Sequence, residues 1–157
     1  MPSLKQQYDN SNASLEIRLS IQEQHNPNDG SYDKNSNTIP YELTLLKDDV
    51  DLHSKTGFVS DTDIRAIEML MRNMSTKSPK RVEQSYTAPF VSEFGILTNT
   101  SRINPDLRYI TVNIDYGASV YGKGDGSCIS IRLVVDRSEC KKFAEELRQD
   151  LDSIVSI

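Results

Sequence analysis

The chain has 157 residues, 36% of them apolar, and a formal net charge of −5. That length suits one domain able to bury about two-thirds of its unfolded surface, so no metal or disulfide is needed to hold a core. The acid surplus argues against a nucleic-acid binder, whose affinity comes from Lys and Arg facing phosphates, and leaves a basic partner or plain solubility.

Residues 1–13 are polar and read as a flexible N-terminal segment ahead of a single domain over 14–157. Leu15, Ile17, Leu19 and Ile21 alternate with Glu16, Arg18 and Ser20, the period of a half-buried strand. The Asn-, Asp-, Ser- and Gly-rich stretch 22–38 reads as a long exposed hairpin loop. A second strand follows at Tyr41, Leu43 and Leu45, then an acidic loop from Lys47 to Thr56 carrying Asp48, Asp49 and Asp51. Ser60 begins a helix, with Asp63 in its first turn and an apolar face of Ile64, Ile67, Leu70, Met71 and Met74. Pro79 and its basic neighbours Lys77, Lys80 and Arg81 read as a linker.

Three further strands are expected, over 90–97, at Ile110, Val112, Ile114 and Tyr116, and at Ile129, Ile131, Leu133 and Val135. The last two are joined by a Gly-rich hairpin, 117–127. Asp136 caps a final helix with Glu139 in the capping-box position and a stripe of Cys140, Phe143, Ala144, Leu147, Leu151 and Ile154. The expectation is an α+β fold: an antiparallel sheet of about five strands with two helices on one face, in the order β-β-α-β-β-β-α. No internal repeat is visible. The other face would be wet, carrying Glu16, Arg18, Thr111, Asn113, Asp115, Ser130 and Arg132. It reads either as an ordinary solvated sheet stabilised by cross-strand pairs or as a polar recognition surface.

No catalytic pattern emerges. Gly122, Gly124 and Gly126 join two strands rather than a strand and a helix, so they do not form a phosphate loop. The acids at 48, 49 and 51 lack the mid-loop Gly and closing Glu of a calcium loop. His25 and His53 lie in polar loops without a nucleophile motif, and Cys128 and Cys140 belong to no metal-binding cluster. The expectation is a protein that is not an enzyme, with no metal and no cofactor. The start of the sequence lacks the apolar core of a signal peptide, and no apolar run has membrane-spanning length. A cytoplasmic protein with no membrane partner is expected.

The run Tyr109 to Gly117 (YITVNIDYG), then Ile129 to Asp136 (ISIRLVVD), then the helix with Phe143, Ala144 and Leu147, resembles the end of the WapI-like bacterial immunity proteins. The resemblance implies neutralisation of a cognate toxin by surface complementarity. An acidic chain suits a basic toxin, with partner-binding acids at Asp48, Asp49, Asp51, Asp115 and Asp125. The expected state is a monomer or weak dimer without nucleic acid. Two alternatives stand beside it. One is a small hydrolase or transferase with a cleft near loop 22–38. The other is a self-associating module anchored by Tyr41, Tyr86, Tyr109, Tyr116 and Tyr121.

Overall fold

A computed structural model describes residues 1–6, 15–22, 38–77, 83–87, 94–115 and 128–155. Its elements run β1 (Ser3–Lys5), β2 (Leu15–Ile21), β3 (Thr38–Lys47), β4 (Val50–Ser60), α1 (Asp61–Met74), β5 (Glu83–Thr87), β6 (Phe94–Thr100), β7 (Leu107–Asp115), β8 (Cys128–Asp136) and α2 (Arg137–Val155). The α+β class is as expected, but the strands form two four-stranded antiparallel sheets, β1-β2-β3-β4 and β5-β6-β7-β8. Each sheet runs in chain order and is followed by a helix, so one four-strand-plus-helix unit occurs twice.

The strands absent from the sequence reading are β1, β4 and β5. β1 lies inside the segment read as flexible, and pairs with β2 through Ser3↔Arg18 to Lys5↔Glu16. Three residues are too few to show a period. β4 lies where an acidic loop was expected. Asp48 and Asp49 form a two-residue hairpin with φ of 50° and 63°, the left-handed pair that a tight turn between antiparallel strands requires and that Asp tolerates. The register shifts between Leu45 and Leu46, a bulge that blurs the alternation across β4.

Both helices start where their caps predict. Ser60 Oγ accepts from the Asp63 N–H at 3.1 Å while Asp63 Oδ2 accepts from the Ser60 N–H at 3.0 Å. Asp136 Oδ1 accepts from the Glu139 N–H at 3.0 Å. The helices pack against each other, α1 also meeting β4, β5 and β6, and α2 meeting β1 and β8.

One core joins both sheets and both helices. It contains Leu19, Leu43, Ile67 and Met71 from the first half, with Ile96, Ile110, Leu133, Phe143 and Leu147 from the second. Tyr41 of β3 meets Phe94 of β6 edge-on, with ring centroids 5.1 Å apart, where the sheets approach. Arg108 of β7 is fully buried at the other end of the β6–β7 ladder, opposite Thr100. Its guanidinium donates to the carbonyls of Met74 (2.8 Å), Thr76 (2.8 Å), Pro105 (2.6 Å) and Leu107 (2.8 Å).

Two outcomes test this packing. Phe143→Ala should lose about 3–5 kcal/mol of stability, whereas Lys142→Ala, exposed beside Glu146, should change it by no more than about 0.5 kcal/mol. A denaturant midpoint for Phe143→Ala equal to wild type would show that α2 does not close the core. Arg108→Lys should also be strongly destabilising, because an ammonium cannot reproduce the planar fork that reaches four carbonyls. Chemical denaturation that leaves this variant as stable as wild type would rule out the carbonyl clamp.

The open sheet faces as a candidate functional site

Each sheet turns one side of its strands into the core; among the described residues the other side is at least partly exposed, except where Glu16 and Leu46 are buried at the β2–β3 end of the first sheet. Pairing register sets which side chains share an open face, because directly opposed residues in antiparallel strands point the same way. On the first sheet the open rows are Ser3–Arg18–Thr44–Ser54, Ser20–Glu42–Thr56 and Pro40–Phe58. On the second they are Leu97–Thr111–Arg132, Asn99–Tyr109–Val134 and Gly95–Asn113–Ser130.

Counted back from the two helix N-caps, Ser60 and Asp136, the faces match position for position. Phe58 corresponds to Val134, Thr56 to Arg132 and Ser54 to Ser130; across the pairing, Pro40 corresponds to Tyr109, Glu42 to Thr111 and Thr44 to Asn113. A cross-strand hydrogen bond recurs at one of these places. Thr44 Oγ1 and Ser54 Oγ lie 3.1 Å apart, and Ser130 Oγ donates to Asn113 Oδ1. An aromatic ring also recurs in the row nearest each helix: Phe58 on the first face, Tyr109 on the second.

The second face carries a stacked cation. The Arg132 guanidinium sits over the Tyr109 ring, 4.4 Å from its centroid, one diagonal step across β7 and β8. Half-buried Leu97 and Val134 flank the pair, and Asn99, Thr111, Asn113 and Ser130 supply hydrogen-bonding groups around it. Asn99 Oδ1 is buried and has no hydrogen-bond partner among the described residues. The pair places a cation over an aromatic ring, flanked by both donors and acceptors.

The first face has a different balance of charge. Glu16 is buried there, held by Arg18 at 2.8 Å and 3.3 Å, with Lys5 at 3.7 Å. Burial pushes its carboxyl up, but the Arg18 hydrogen bonds and charge, with Lys5 behind them, outweigh burial and hold it below its ordinary value. Arg18 is raised, first by its bond to Glu16 and with smaller help from Asp49 and Asp51. Toward the helix end lies a depression of ≈ 420 Å³ lined by Gln22, Pro40, Tyr41, Glu42, Thr56, Gly57 and Phe58. Phe58 is 61% exposed, and no pattern in the sequence singled it out, since it reads as one apolar residue on the way into a helix.

The acids expected to bind a partner are not gathered into one site. Asp48 and Asp49 form the β3–β4 turn and Asp51 follows on β4, whereas Asp115 ends β7 in the other sheet. Asp125 lies outside the described residues, as do His25, Tyr116, Tyr121 and most of loop 22–38. His53 sits on β4 opposite Leu45. Cys140 is a free, fully buried thiol that burial pushes up to about 12, too high for a thiolate nucleophile. Among the described residues no three His, Cys, Asp or Glu side chains could hold a metal ion, and no helix is long and apolar enough to cross a membrane.

No family description matches the sequence, and no curated protein matches it. Solved structures do. The plant transcriptional regulator PBF-2 is similar over 98% of this chain and 81% of its own, with a TM-score of 0.54 at 11% identity. WHY1 from Arabidopsis thaliana is similar over 98% of this chain and 83% of its own, with a TM-score of 0.50 at 11% identity. This likeness is one of fold. It sets the chain beside a plant transcriptional regulator, and so overturns the expectation of an immunity protein that neutralises a cognate toxin and has no nucleic-acid partner. The expectation of no nucleic-acid partner leaned on net charge, which is a whole-chain sum. Many of the acids lie on the helices and at the β3–β4 turn, while the middle of the second open face carries Arg132.

The Glu16 cluster makes a prediction about pH. A carboxyl whose folded pKa is depressed contributes stability that is present above its unfolded pKa and is lost as pH falls through the folded value. The stability gap between wild type and Glu16→Gln should therefore be widest near neutrality, shrink below about pH 4 and close in stronger acid. Urea midpoints of the two proteins across that range check this; a gap that grows in acid would show the opposite shift.

Proposed function

We propose that this chain binds single-stranded nucleic acid across the open face of its second sheet. The observation that carries the reading is the Arg132–Tyr109 pair, a platform made of an aromatic ring with a guanidinium 4.4 Å from its centroid. An unpaired base has two free π-faces and stacks on such a platform whatever its identity, whereas a duplex hides those faces. Asn113, Ser130, Thr111 and Asn99 surround the stack and can bond base edges or backbone oxygens. The fold's likeness to a plant transcriptional regulator supports work on nucleic acid. In this reading the chain is a binding protein and not a catalyst, and a cytoplasmic setting goes with Cys140 as a free thiol.

The charge balance sets the character of the binding. With a net charge of −5, only a few phosphates are neutralised, so affinity rests on stacking. Each phosphate contact contributes about −0.7 to the salt slope for a single strand. A slope shallower than about −3 is expected for this protein.

Fluorescence anisotropy with a labelled oligo-dT strand tests the proposal. Binding is expected for the single strand and not for the matching duplex. Tyr109→Ala and Arg132→Ala should each weaken it about 5- to 100-fold, the worth of one lost stacking contact. Tyr109→Phe keeps a ring and should stay within about threefold of wild type. Failure of the wild-type chain to bind the strand at low salt, or Tyr109→Ala binding as wild type does, would overturn the reading.

A further inference from the structure

We infer that the depression on the first sheet's open face is a guanine-recognition subsite. It rests on the strand-binding reading for the polymer form of its ligand, but its geometry stands apart from the Arg132–Tyr109 stack. Its ≈ 420 Å³ falls within the size range of small-ligand sites, about 300–1,000 Å³. Its ring is supplied by Phe58, largely exposed and paired across the strands with Pro40, so a base laid there meets an aromatic and an apolar neighbour. Glu42 stands one diagonal step from Phe58, directly opposite Thr56, and Gln22 completes the rim.

The carboxylate decides which base. It offers two acceptor oxygens and no donor. Guanine is the base whose Watson–Crick edge presents two adjacent donors, N1–H and the N2 amino group, and these match a carboxylate as a guanidinium does. Adenine and cytosine place an amino donor beside a ring acceptor, which would face the second carboxylate oxygen in repulsion. Thymine has one donor between two acceptors. The Thr56 hydroxyl and the Gln22 amide are the donors on hand for guanine O6. The same carboxylate repels phosphate, so the subsite trades general strand affinity for base selection.

The position pairs with the other face in an informative way. Where the first sheet has Glu42 opposite Thr56, the second has Thr111 opposite Arg132. One face is therefore suited to any stacked base and the other to a base with two donors.

The test compares a nine-thymidine strand, the same strand with one central guanosine, and the same strand with inosine at that place. Each is titrated by anisotropy against the full chain, Glu42→Gln, Phe58→Ala and Tyr109→Ala. Both pocket residues are at least partly exposed, so neither substitution threatens folding. The guanosine strand is expected to bind about tenfold more tightly than the thymidine strand. Inosine, lacking the N2 amino group, should lose most of that preference. Glu42→Gln should abolish the preference while binding the thymidine strand as well as wild type does or better. Phe58→Ala should remove the guanosine advantage too, and Tyr109→Ala should weaken both strands alike. Equal binding of the thymidine and guanosine strands by wild type overturns the subsite and leaves the strand-binding reading intact. If neither strand binds, that reading falls, and an NMR titration with guanosine monophosphate against adenosine monophosphate decides the subsite alone. Shifts at Gln22, Thr56, Gly57 and Phe58 specific to the guanine nucleotide uphold it as a free-nucleotide site, and their absence overturns it.

Discussion

Arg108 joins the two halves of the chain, and it does so through carbonyl oxygens. The residue is 1% exposed, and a bare cation at that depth would be prohibitively costly. It is stabilised by four carbonyl oxygens, two of them, Met74 and Thr76, at the end of α1, and two, Pro105 and Leu107, at the entry to β7. The end of a helix carries partial negative charge, so the cation and the α1 terminus satisfy each other. The consequence is positional. The last turn of α1 is fixed against the third strand of the second sheet, and the two helices are brought alongside each other. With the helices and the inner sides of both sheets committed to one core, each sheet retains one open side.

Those open sides are where local chemistry departs from the whole-chain average. A net charge of −5 is a sound guide to long-range attraction, yet it says nothing about a surface on which one guanidinium sits over a tyrosine. The helices show the contrast. In the groove lined by Arg65, Glu68, Met69, Arg72, Arg148 and Leu151, Arg65 pairs with Asp61, Arg72 with Glu68 and Arg148 with Asp152. Its cations are matched by acids one turn away, the usual arrangement of a solvated helix face. Arg132 instead sits over an aromatic ring.

Much of the architecture was legible because it depends on local rules. β2, β3, β7 and β8 follow period two, and both helices begin at their caps, Ser60 and Asp136. The inward residues Phe143 and Leu147 and the outward residues Glu16, Arg18, Thr111, Asn113, Ser130 and Arg132 all follow from those periods. What a period cannot give is the number of sheets, since an inward residue has the same pattern whichever sheet it belongs to. Nor does it reveal a repeated architecture whose halves share positions rather than residues, as Phe58 and Val134 or Glu42 and Thr111 do. The candidate site was less legible still. Arg132 and Tyr109 are 23 positions apart, the difference of their residue numbers, and meet only because the β7–β8 register places them on one diagonal. Tyr109 was visible as an aromatic and Arg132 as an outward cation, but not as a pair.

The repeat also explains how one fold can carry two dissimilar surfaces. A four-strand meander followed by a helix fixes which positions face outward, and core packing constrains only the alternate ones. The outward positions are therefore free to diverge. Structure is preserved where it costs little: a hydrogen-bonded polar pair persists at Thr44–Ser54 and at Asn113–Ser130, bridging equivalent strands. Charge is not preserved one row closer to the helices, where an acid on β3 in the first sheet gives way to a cation on β8 in the second. Neither change disturbs an inward residue, so neither is opposed by stability. On this backbone, the outward row beside each helix can change its chemistry almost independently of folding.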